Sequence, residues 1–123
     1  MKDFKELKIW ERSHKLTLSI YKLSKSFPRE EIYGLTSQML RSAASIPTNI
    51  AEGSGRNTGP DFNRFLVLAM GSAAELEYQL ILSKDLGYCN LAEFESLTNE
   101  LIEIRKMINA FIQKIQIRIK NKI

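Results

Sequence analysis

Apolar residues recur every three or four positions in four long segments of this chain, a spacing typical of amphipathic α-helices. The 123 residues include only 6 glycines and 3 prolines, and an all-β fold needs more turn-forming residues than these. Short breaks separate the four segments, and short connections make neighbouring helices antiparallel. The sequence therefore predicts an all-α, up-down-up-down four-helix bundle, with residues 1–123 forming a single domain.

Local signals predict the ends of the first two helices. Asp3-Phe4-Lys5-Glu6 has the pattern of a capping box, and Pro28 ends the first helix because the residue before a proline disfavours helical geometry. We expect the second helix to begin near residues 30–31, where two carboxylates suit a helix N-terminus. A glycine in left-handed geometry, Gly53 or Gly55, is expected to end it.

Pro47 falls inside the apolar stripe of the second helix, and the stripe keeps its register across it. The stripe is Ile32, Leu35, Met39, Ala43, Ile46 and Ile50. Proline removes the hydrogen bond to the carbonyl four residues earlier and crowds it, and the small residue there, Ala43, eases the crowding. The pattern predicts one helix bent at Pro47 and not two helices.

The third and fourth helices carry clear start signals. Thr58 precedes Gly59-Pro60-Asp61 as a hydroxyl cap, and Gly87 is expected to end the third helix. Asn90 and Glu93 form another capping box. The apolar repeat then continues without glycine or proline toward the C-terminus, so the fourth helix is expected to be long.

The first and third helices offer more apolar surface than one core needs. The first is apolar over two sides, on which lie Leu7, Ile9, Trp10, His14, Leu16, Thr17, Leu18, Ile20, Tyr21, Leu23 and Phe27. The third contains a stretch of small residues, Ala69 and 71–74, where two backbones can approach closely. We therefore predict a homo-oligomer, and a head-to-tail interface that closes would make it a ring.

Composition argues against catalytic and metal chemistry. One cysteine (Cys89) and one histidine (His14) cannot form an internal disulfide or the usual zinc sites within one chain. His14 is expected in the core, Cys89 without a redox role, and no nucleophile–base set is present. We predict no enzyme, no cofactor and no metal. No apolar run approaches the roughly 18 residues of a membrane span, and no signal peptide is evident, so a cytoplasmic location without membrane contact is expected.

Charge is distributed unevenly along the chain. Residues 1–29 hold eight basic and three acidic side chains, residues 30–104 four and eleven, and residues 105–123 six and none. Basic termini lying side by side would attract RNA or DNA; an acidic protein partner or ordinary solvated helix faces are the alternatives. The candidate nucleic-acid-binding residues are Lys8, Arg12, Lys15, Lys22, Lys25, Arg56, Arg64, Arg105, Lys106, Lys114, Arg118, Lys120 and Lys122.

The second helix also carries a line of polar residues beside its apolar stripe. The line is Gln38, Arg41, Ser45, Thr48, Asn49 and Glu52. One interpretation is an exposed polar face. The other is a hydrogen-bonded network buried between helices or subunits, with Arg41 and Glu52 at its ends, since a buried arginine must be paired.

The run from Gln38 to Gly53, QMLRSAASIPTNIAEG, resembles the signature of a bacterial family of four-helix-bundle proteins. These are encoded in intervening sequences of 23S ribosomal RNA genes and are also labelled ribosomal protein S23. Similar stretches are Phe4–Leu7 with Trp10, Phe27-Pro28, Glu31–Leu35 and Ala69–Leu76.

The same family is similar to the accessory variability protein of diversity-generating retroelements, a basic homopentameric barrel that binds nucleic acid and a reverse transcriptase. The resemblance implies a bundle, a pentameric ring, nucleic-acid contact and a protein partner such as a reverse transcriptase. It implies no enzymatic activity.

Overall fold

A computed structural model of the chain describes residues 3–121 and contains four long helices. They are α1 (Lys8–Ser24), α2 (Leu35–Ser54), α3 (Gly59–Asp85) and α4 (Leu91–Asn121), and short 3₁₀ turns at Phe4–Glu6 and Arg29–Glu31 precede α1 and α2. No strand occurs in the part of the chain that the structure describes. Each helix packs against its neighbours around a square, with α1 touching α2 and α4, and α3 touching the same two. The predicted all-α four-helix bundle is confirmed.

One apolar core draws side chains from all four helices. The largest side chains that are fully buried are Ile20, Met39, Ile46, Ile50, Leu66, Leu76, Leu80, Leu101, Ile104 and Ile108. Met39, Ile46 and Ile50 belong to the predicted stripe of the second helix, so the three- and four-residue spacing placed that face correctly. Removal of this apolar surface from water is the main force that holds the four helices together.

Pro47 lies within one continuous helix, as predicted, and is itself buried. It lacks an N–H for the Ala43 carbonyl, which therefore needs another donor. The Thr17 hydroxyl on α1 lies 3.0 Å from that carbonyl oxygen and 2.8 Å from the carbonyl oxygen of Ser13. The single hydroxyl proton of Thr17 is shared between these two carbonyls, so a side chain of α1 replaces in part the hydrogen bond that proline removes from α2.

The prediction that α2 begins near residues 30–31 is wrong. Residues 29–31 form a 3₁₀ turn, and α2 begins at Leu35, so Ile32 lies outside the helix and half exposed. The Glu31 carboxylate accepts hydrogen bonds from the Leu35 N–H at 3.2 Å and from the Tyr88 hydroxyl at 3.0 Å. A Cβ on Gly34 would lie 2.9 Å from Glu31 Oε1. Glycine at position 34 therefore leaves room for the Glu31 carboxylate to cap α2 at Leu35.

The other helix ends follow the sequence signals in most cases. The Thr58 hydroxyl accepts from the Asp61 N–H, and Asn90 and Glu93 exchange hydrogen bonds as a capping box. Gly87 ends α3 with φ +80°, as expected. Gly55 ends α2 with φ −83°, so the expected left-handed end is wrong there. Asp3 caps only the 3₁₀ turn, because extended Leu7 separates that turn from α1.

α1 turns one of its two apolar sides to the core and leaves the other exposed. Ile9, Leu16, Ile20 and Leu23 are buried. His14 is exposed and stacks on Trp10, with ring centroids 5.0 Å apart. The prediction of a core histidine is therefore wrong. The periodicity of α1 shows two apolar sides, and the packing of α2 and α4 decides which of them is buried.

α3 is long and apolar enough to cross a membrane by length and composition. A little under half of its most apolar stretch is buried within the bundle. A core helix of a water-soluble protein has the same length and composition, so this feature alone assigns no membrane contact. It does show that the surface of α3 turned away from the bundle is unusually apolar.

Candidate nucleic-acid interface

The antiparallel topology brings both termini of the described chain to one end of the bundle. A groove of about 750 Å³ at this end is lined by Leu7, by the α2–α3 connection and by the last turns of α4. Gly59 lies close to α4, since a Cβ there would be 3.2 Å from Ile115. The expectation that the start of the first helix and the end of the fourth lie together is met.

Six of the thirteen candidate cations are held in ion pairs with carboxylates of the same chain. Arg12 makes a two-pronged pair with Glu100 at 2.6 and 3.0 Å, and Arg105 pairs with Glu77. The other five pairs are Lys15–Glu11, Arg56–Glu52, Arg56–Asp61, Arg64–Asp61 and Lys106–Glu103, at 3.2, 3.8, 3.8, 3.0 and 3.9 Å. Paired cations contribute less to an attractive field than unpaired ones.

The Arg12 pair joins α1 to α4, because its partner Glu100 lies on the neighbouring helix α4. The hydrogen bond that Arg12 donates to Glu100 raises the pKa of the Arg12 guanidinium, burial opposes that shift, and the charges of Glu100 and Glu103 add to it. The guanidinium also lies 3.2 Å from the sulfur of Met107. These contacts give Arg12 a structural role.

Lys8, Lys22, Lys25, Lys114, Arg118 and Lys120 have no ion pair within residues 3–121. Lys22 in the last turn of α1 and Lys25 just after it lie about 21 and 25 Å from Lys8 at 1.5 Å per helical residue. Lys122 lies outside the described residues. The candidate cations therefore do not form one patch.

Four unpaired cations belong to the end of the bundle where the termini meet, and we call Lys8, Lys114, Arg118 and Lys120 the basic end. Lys114 lies seven residues after Met107, and Arg118 lies eleven residues after Met107. Both therefore lie on the line of α4 that faces Arg12. Lys8 precedes Arg12 by one helical turn. No acidic side chain follows Glu103 along α4 in the described chain, so the charged side chains of its last turns there are all basic.

Two aromatic rings, Phe62 and Phe111, line the groove together with Arg118 of the basic end. The Phe62 and Phe111 rings are 5.4 Å apart. The guanidinium groups of Arg56 and Arg64 lie 4.6 and 4.5 Å from the ring centre of Phe65. The groove thus combines an apolar floor with two arginines, Arg118, which has no ion pair within the described residues, and Arg56, which is paired with carboxylates. Sequence reasoning missed it, because its walls come from three separate segments.

The polar line of α2 is only partly a network. Ser45 Oγ accepts hydrogen bonds from Asn49 Nδ2 at 3.0 Å and from Ser72 Oγ of α3 at 2.9 Å. Arg41 is exposed. Glu52 pairs with Arg56 and not with Arg41. The interpretation with Arg41 and Glu52 at the ends of a network buried within the chain is therefore wrong for the free chain.

The line borders a polar cleft between α2 and α3, of about 150 Å³. It is lined by Gln38, Arg41, Ser42, Ser45, Ser72, Glu75 and Gln79. Gln79 and Ser72 were not singled out in the sequence. The small-residue stretch that contains Ser72 was the available signal.

Neither cysteine nor metal chemistry is favoured. Cys89 is buried, and burial raises the pKa of its thiol, with a further increase from Glu93 and a smaller opposing effect from Lys84. A thiol with a raised pKa is mostly protonated at neutral pH and is a poor nucleophile. Among residues 3–121, no three His, Cys, Asp or Glu side chains form a group that could hold a metal ion.

Comparison with known proteins identifies a family and similar solved structures. The family model of the 23S rRNA-intervening sequence protein matches residues 5–110. A crystal structure of a protein with unknown function, from the S23 ribosomal protein family of Bacteroides thetaiotaomicron, is 30% identical with a TM-score of 0.79. The match covers 85% of this chain and 97% of that one. No functionally curated protein matches in sequence. The predicted relation to diversity-generating retroelements stays a prediction. The chain belongs to the 23S rRNA-intervening sequence protein family.

Proposed function

We propose that this protein is a non-enzymatic oligomer that binds RNA or DNA through its basic end. The observation that supports the proposal is the set of cations there, Lys8, Lys114, Arg118 and Lys120, which have no carboxylate partner within the described residues. Lys and Arg attract phosphates by charge, so such binding depends on shape and salt more than on sequence.

The groove at the basic end favours a single strand over a duplex. A single strand has unstacked bases, and aromatic side chains such as those of Phe62 and Phe111 bind bases by stacking. Arg118 lies on the groove wall, where it can meet the phosphate of the same nucleotide. The proposal needs no cofactor or metal and places the protein in the cytoplasm.

Assembly belongs to the same proposal. Two different helices carry exposed apolar surface, on α1 around Leu18 and Tyr21 and on α3 around Val67 and Tyr78. Two unlike surfaces on one chain can join head to tail, and such contacts close into a ring when the rotation permits. The resemblance favours five copies. Light scattering at tens of micromolar should report an oligomer, and a monomer at that concentration would contradict assembly.

A salt series on wild-type protein tests the nucleic-acid part. We expect several unrelated single-stranded RNAs of equal length to bind with similar affinity, and the logarithm of the affinity to fall linearly with the logarithm of salt concentration. Binding that differs strongly among these sequences would contradict recognition by charge. Absence of binding at about 50 mM salt would favour the second candidate, in which the same basic end meets an acidic protein surface such as that of a reverse transcriptase.

A further inference from the structure

The groove at the basic end has the size of a site for a small ligand. Its volume of about 750 Å³ falls within the range of about 300–1,000 Å³ that is typical of such sites. Three separate segments line it: the residue before α1, the α2–α3 connection and the last turns of α4. A molecule in the groove therefore contacts the protein on several sides.

Large apolar side chains form most of the groove wall. Four of them pack against the core and yet stay partly exposed where they line the groove: Leu7, Phe62, Phe111 and Ile119. A hydrocarbon chain placed on this wall removes apolar surface of both the protein and the ligand from water. The wall therefore fits the apolar part of a ligand.

Gly59 preserves the volume of the groove at the α2–α3 connection. A Cβ at this position would lie 3.2 Å from Ile115 and 3.6 Å from Ile119, and both of these residues line the groove. A larger residue would have to displace α4 or extend into the groove. Glycine therefore lets the connection approach α4 while the groove keeps its full volume.

Both charged side chains that line the groove are basic. They are Arg118 and Arg56, and no carboxylate is among the described residues of the lining. Arg56 is paired with Glu52 and Asp61, at 3.8 Å each. Arg118 makes no ion pair within the described chain. The groove thus offers one guanidinium to an anion, and the planar fork of a guanidinium binds a carboxylate through two hydrogen bonds.

The hydroxyl groups of the groove wall are already hydrogen-bonded within the chain. The Ser54 hydroxyl donates to the Ala51 carbonyl at 2.9 Å, and the Thr58 hydroxyl accepts from the Asp61 N–H at 3.3 Å. A ligand body with many polar atoms would leave most of them without partners, which costs affinity. A hydrocarbon body with one anionic group avoids that cost.

We infer that the groove binds an aliphatic carboxylate, a medium-chain fatty acid, with its chain along the apolar wall and its carboxylate on Arg118. The site rests on the groove alone, and neither nucleic-acid binding nor assembly is needed for it. Its consequence rests on the proposed function. A bound fatty acid neutralises Arg118 and covers Phe62 and Phe111, so it should lower the affinity of the protein for single-stranded RNA.

Calorimetric titration of the wild-type protein with sodium decanoate tests the site. We expect one saturable site per chain and a negative heat-capacity change, because apolar surface is buried. Octanoate should bind more weakly, by about fourfold for each methylene group removed. Octanol, with the same chain length and no charge, should bind about tenfold more weakly than octanoate. Absence of saturable decanoate binding, or equal affinity for octanoate and octanol, would overturn the inference.

Arg118→Gln tests where the carboxylate lies. The variant should bind octanoate about tenfold more weakly than wild type and octanol as well as wild type, because only octanoate has a charged group. Lys114→Gln is the matched control, since it removes one positive charge from the same part of α4 at a position outside the groove lining. Equal weakening of octanoate binding by both variants would show attraction by overall charge and would overturn the contact with Arg118.

Ile119→Trp tests where the chain lies. The larger side chain should fill part of the groove and weaken decanoate binding by at least about tenfold, the effect of two lost methylene contacts. Ile117→Trp, at a position of α4 that is 58% exposed and outside the groove lining, is the control and should bind as wild type. Both variants should keep the wild-type helix content by circular dichroism. Wild-type decanoate binding by Ile119→Trp would place the chain on another apolar surface and overturn the inference.

Competition between decanoate and single-stranded RNA separates this inference from the proposed function. Decanoate should weaken RNA binding by wild-type protein. If RNA binds and decanoate does not, the inference alone is wrong. If decanoate binds and RNA does not, the proposed function alone is wrong. If both bind without competition, the expected effect on RNA and the placement of bases on Phe62 and Phe111 are both wrong.

Discussion

At the scale of single residues, Thr17 and Pro47 form a pair that stabilises the contact between α1 and α2. Pro47 leaves the Ala43 carbonyl without its helical donor, and the Thr17 hydroxyl lies 3.0 Å from it. Thr17 is buried, so water does not readily replace that hydroxyl. The proline therefore makes the stability of α2 depend on a side chain of α1.

Thr17→Val tests this pairing, because valine keeps the shape of threonine and removes its hydroxyl. We expect a loss of about 1–3 kcal/mol in the free energy of unfolding, since a buried carbonyl is left unsatisfied. In a Pro47→Ala background the backbone N–H of residue 47 can donate to the Ala43 carbonyl. Thr17→Val should then lower the free energy of unfolding by less. Equal losses in both backgrounds, measured by urea unfolding, would contradict the pairing.

Arg41 gives a second prediction at this scale. Its side chain is exposed and makes no ion pair within the described part of the chain. Arg41→Ala should therefore change the free energy of unfolding of the monomer by less than about 1 kcal/mol. Thermal unfolding of wild type and of Arg41→Ala at the same protein concentration measures this. A loss of several kcal/mol would show that Arg41 has a buried carboxylate partner.

At the scale of helices, α1 and α4 are joined through Arg12. Its guanidinium holds Glu100 with two hydrogen bonds, at 2.6 and 3.0 Å, and contacts Met107. Both side chains of the pair are about one-third exposed, with relative accessibilities of 36%. Solvent therefore screens the attraction between the two charges. The geometry of the two hydrogen bonds contributes more to stability than the charges alone.

Arg12→Gln should lower the free energy of unfolding by about 0.5–1 kcal/mol, the range of well-formed surface pairs. Arg12→Lys keeps the charge but loses the planar fork, so it should be destabilised too. Both losses should shrink at high salt. If Arg12→Lys is as stable as wild type in denaturant unfolding, the two-pronged geometry is not what stabilises the contact.

Helix ends and faces show what local sequence can predict. Thr58 and the Asn90–Glu93 pair cap their helices through hydrogen bonds over three residues, and both were predicted. The start of α2 was not predicted, because Glu31 also accepts a hydrogen bond from Tyr88, 57 residues away. Similarly, His14 is exposed because the packing of neighbouring helices selects which side of α1 enters the core.

At the scale of the whole molecule, the topology gathers charge that the sequence spreads over both termini. The concentration of basic residues near both termini predicted the basic end, because antiparallel helices bring the end of α4 close to the start of α1. Sequence did not show which cations remain unpaired, because Arg12 and Arg105 find their carboxylates 88 and 28 residues away. Of the candidate residues, Lys8, Lys114, Arg118 and Lys120 therefore carry the present proposal.

The change in salt dependence on removing the basic end tests the nucleic-acid proposal most directly. The variant replaces Lys114, Arg118 and Lys120 with glutamine. The control makes the same change at Lys15, Lys84 and Lys106, each of which pairs with a carboxylate. Each phosphate contact adds about 0.7 to the slope of log affinity against log salt for single strands.

Binding of unrelated single-stranded RNAs should therefore weaken in the basic-end variant, and its slope should flatten by about two units. The control should keep closer to the wild-type slope, since each of its lysines is already paired with a carboxylate of the same chain. Equal slopes in wild type, variant and control would contradict the account, because phosphates would then contact some other surface.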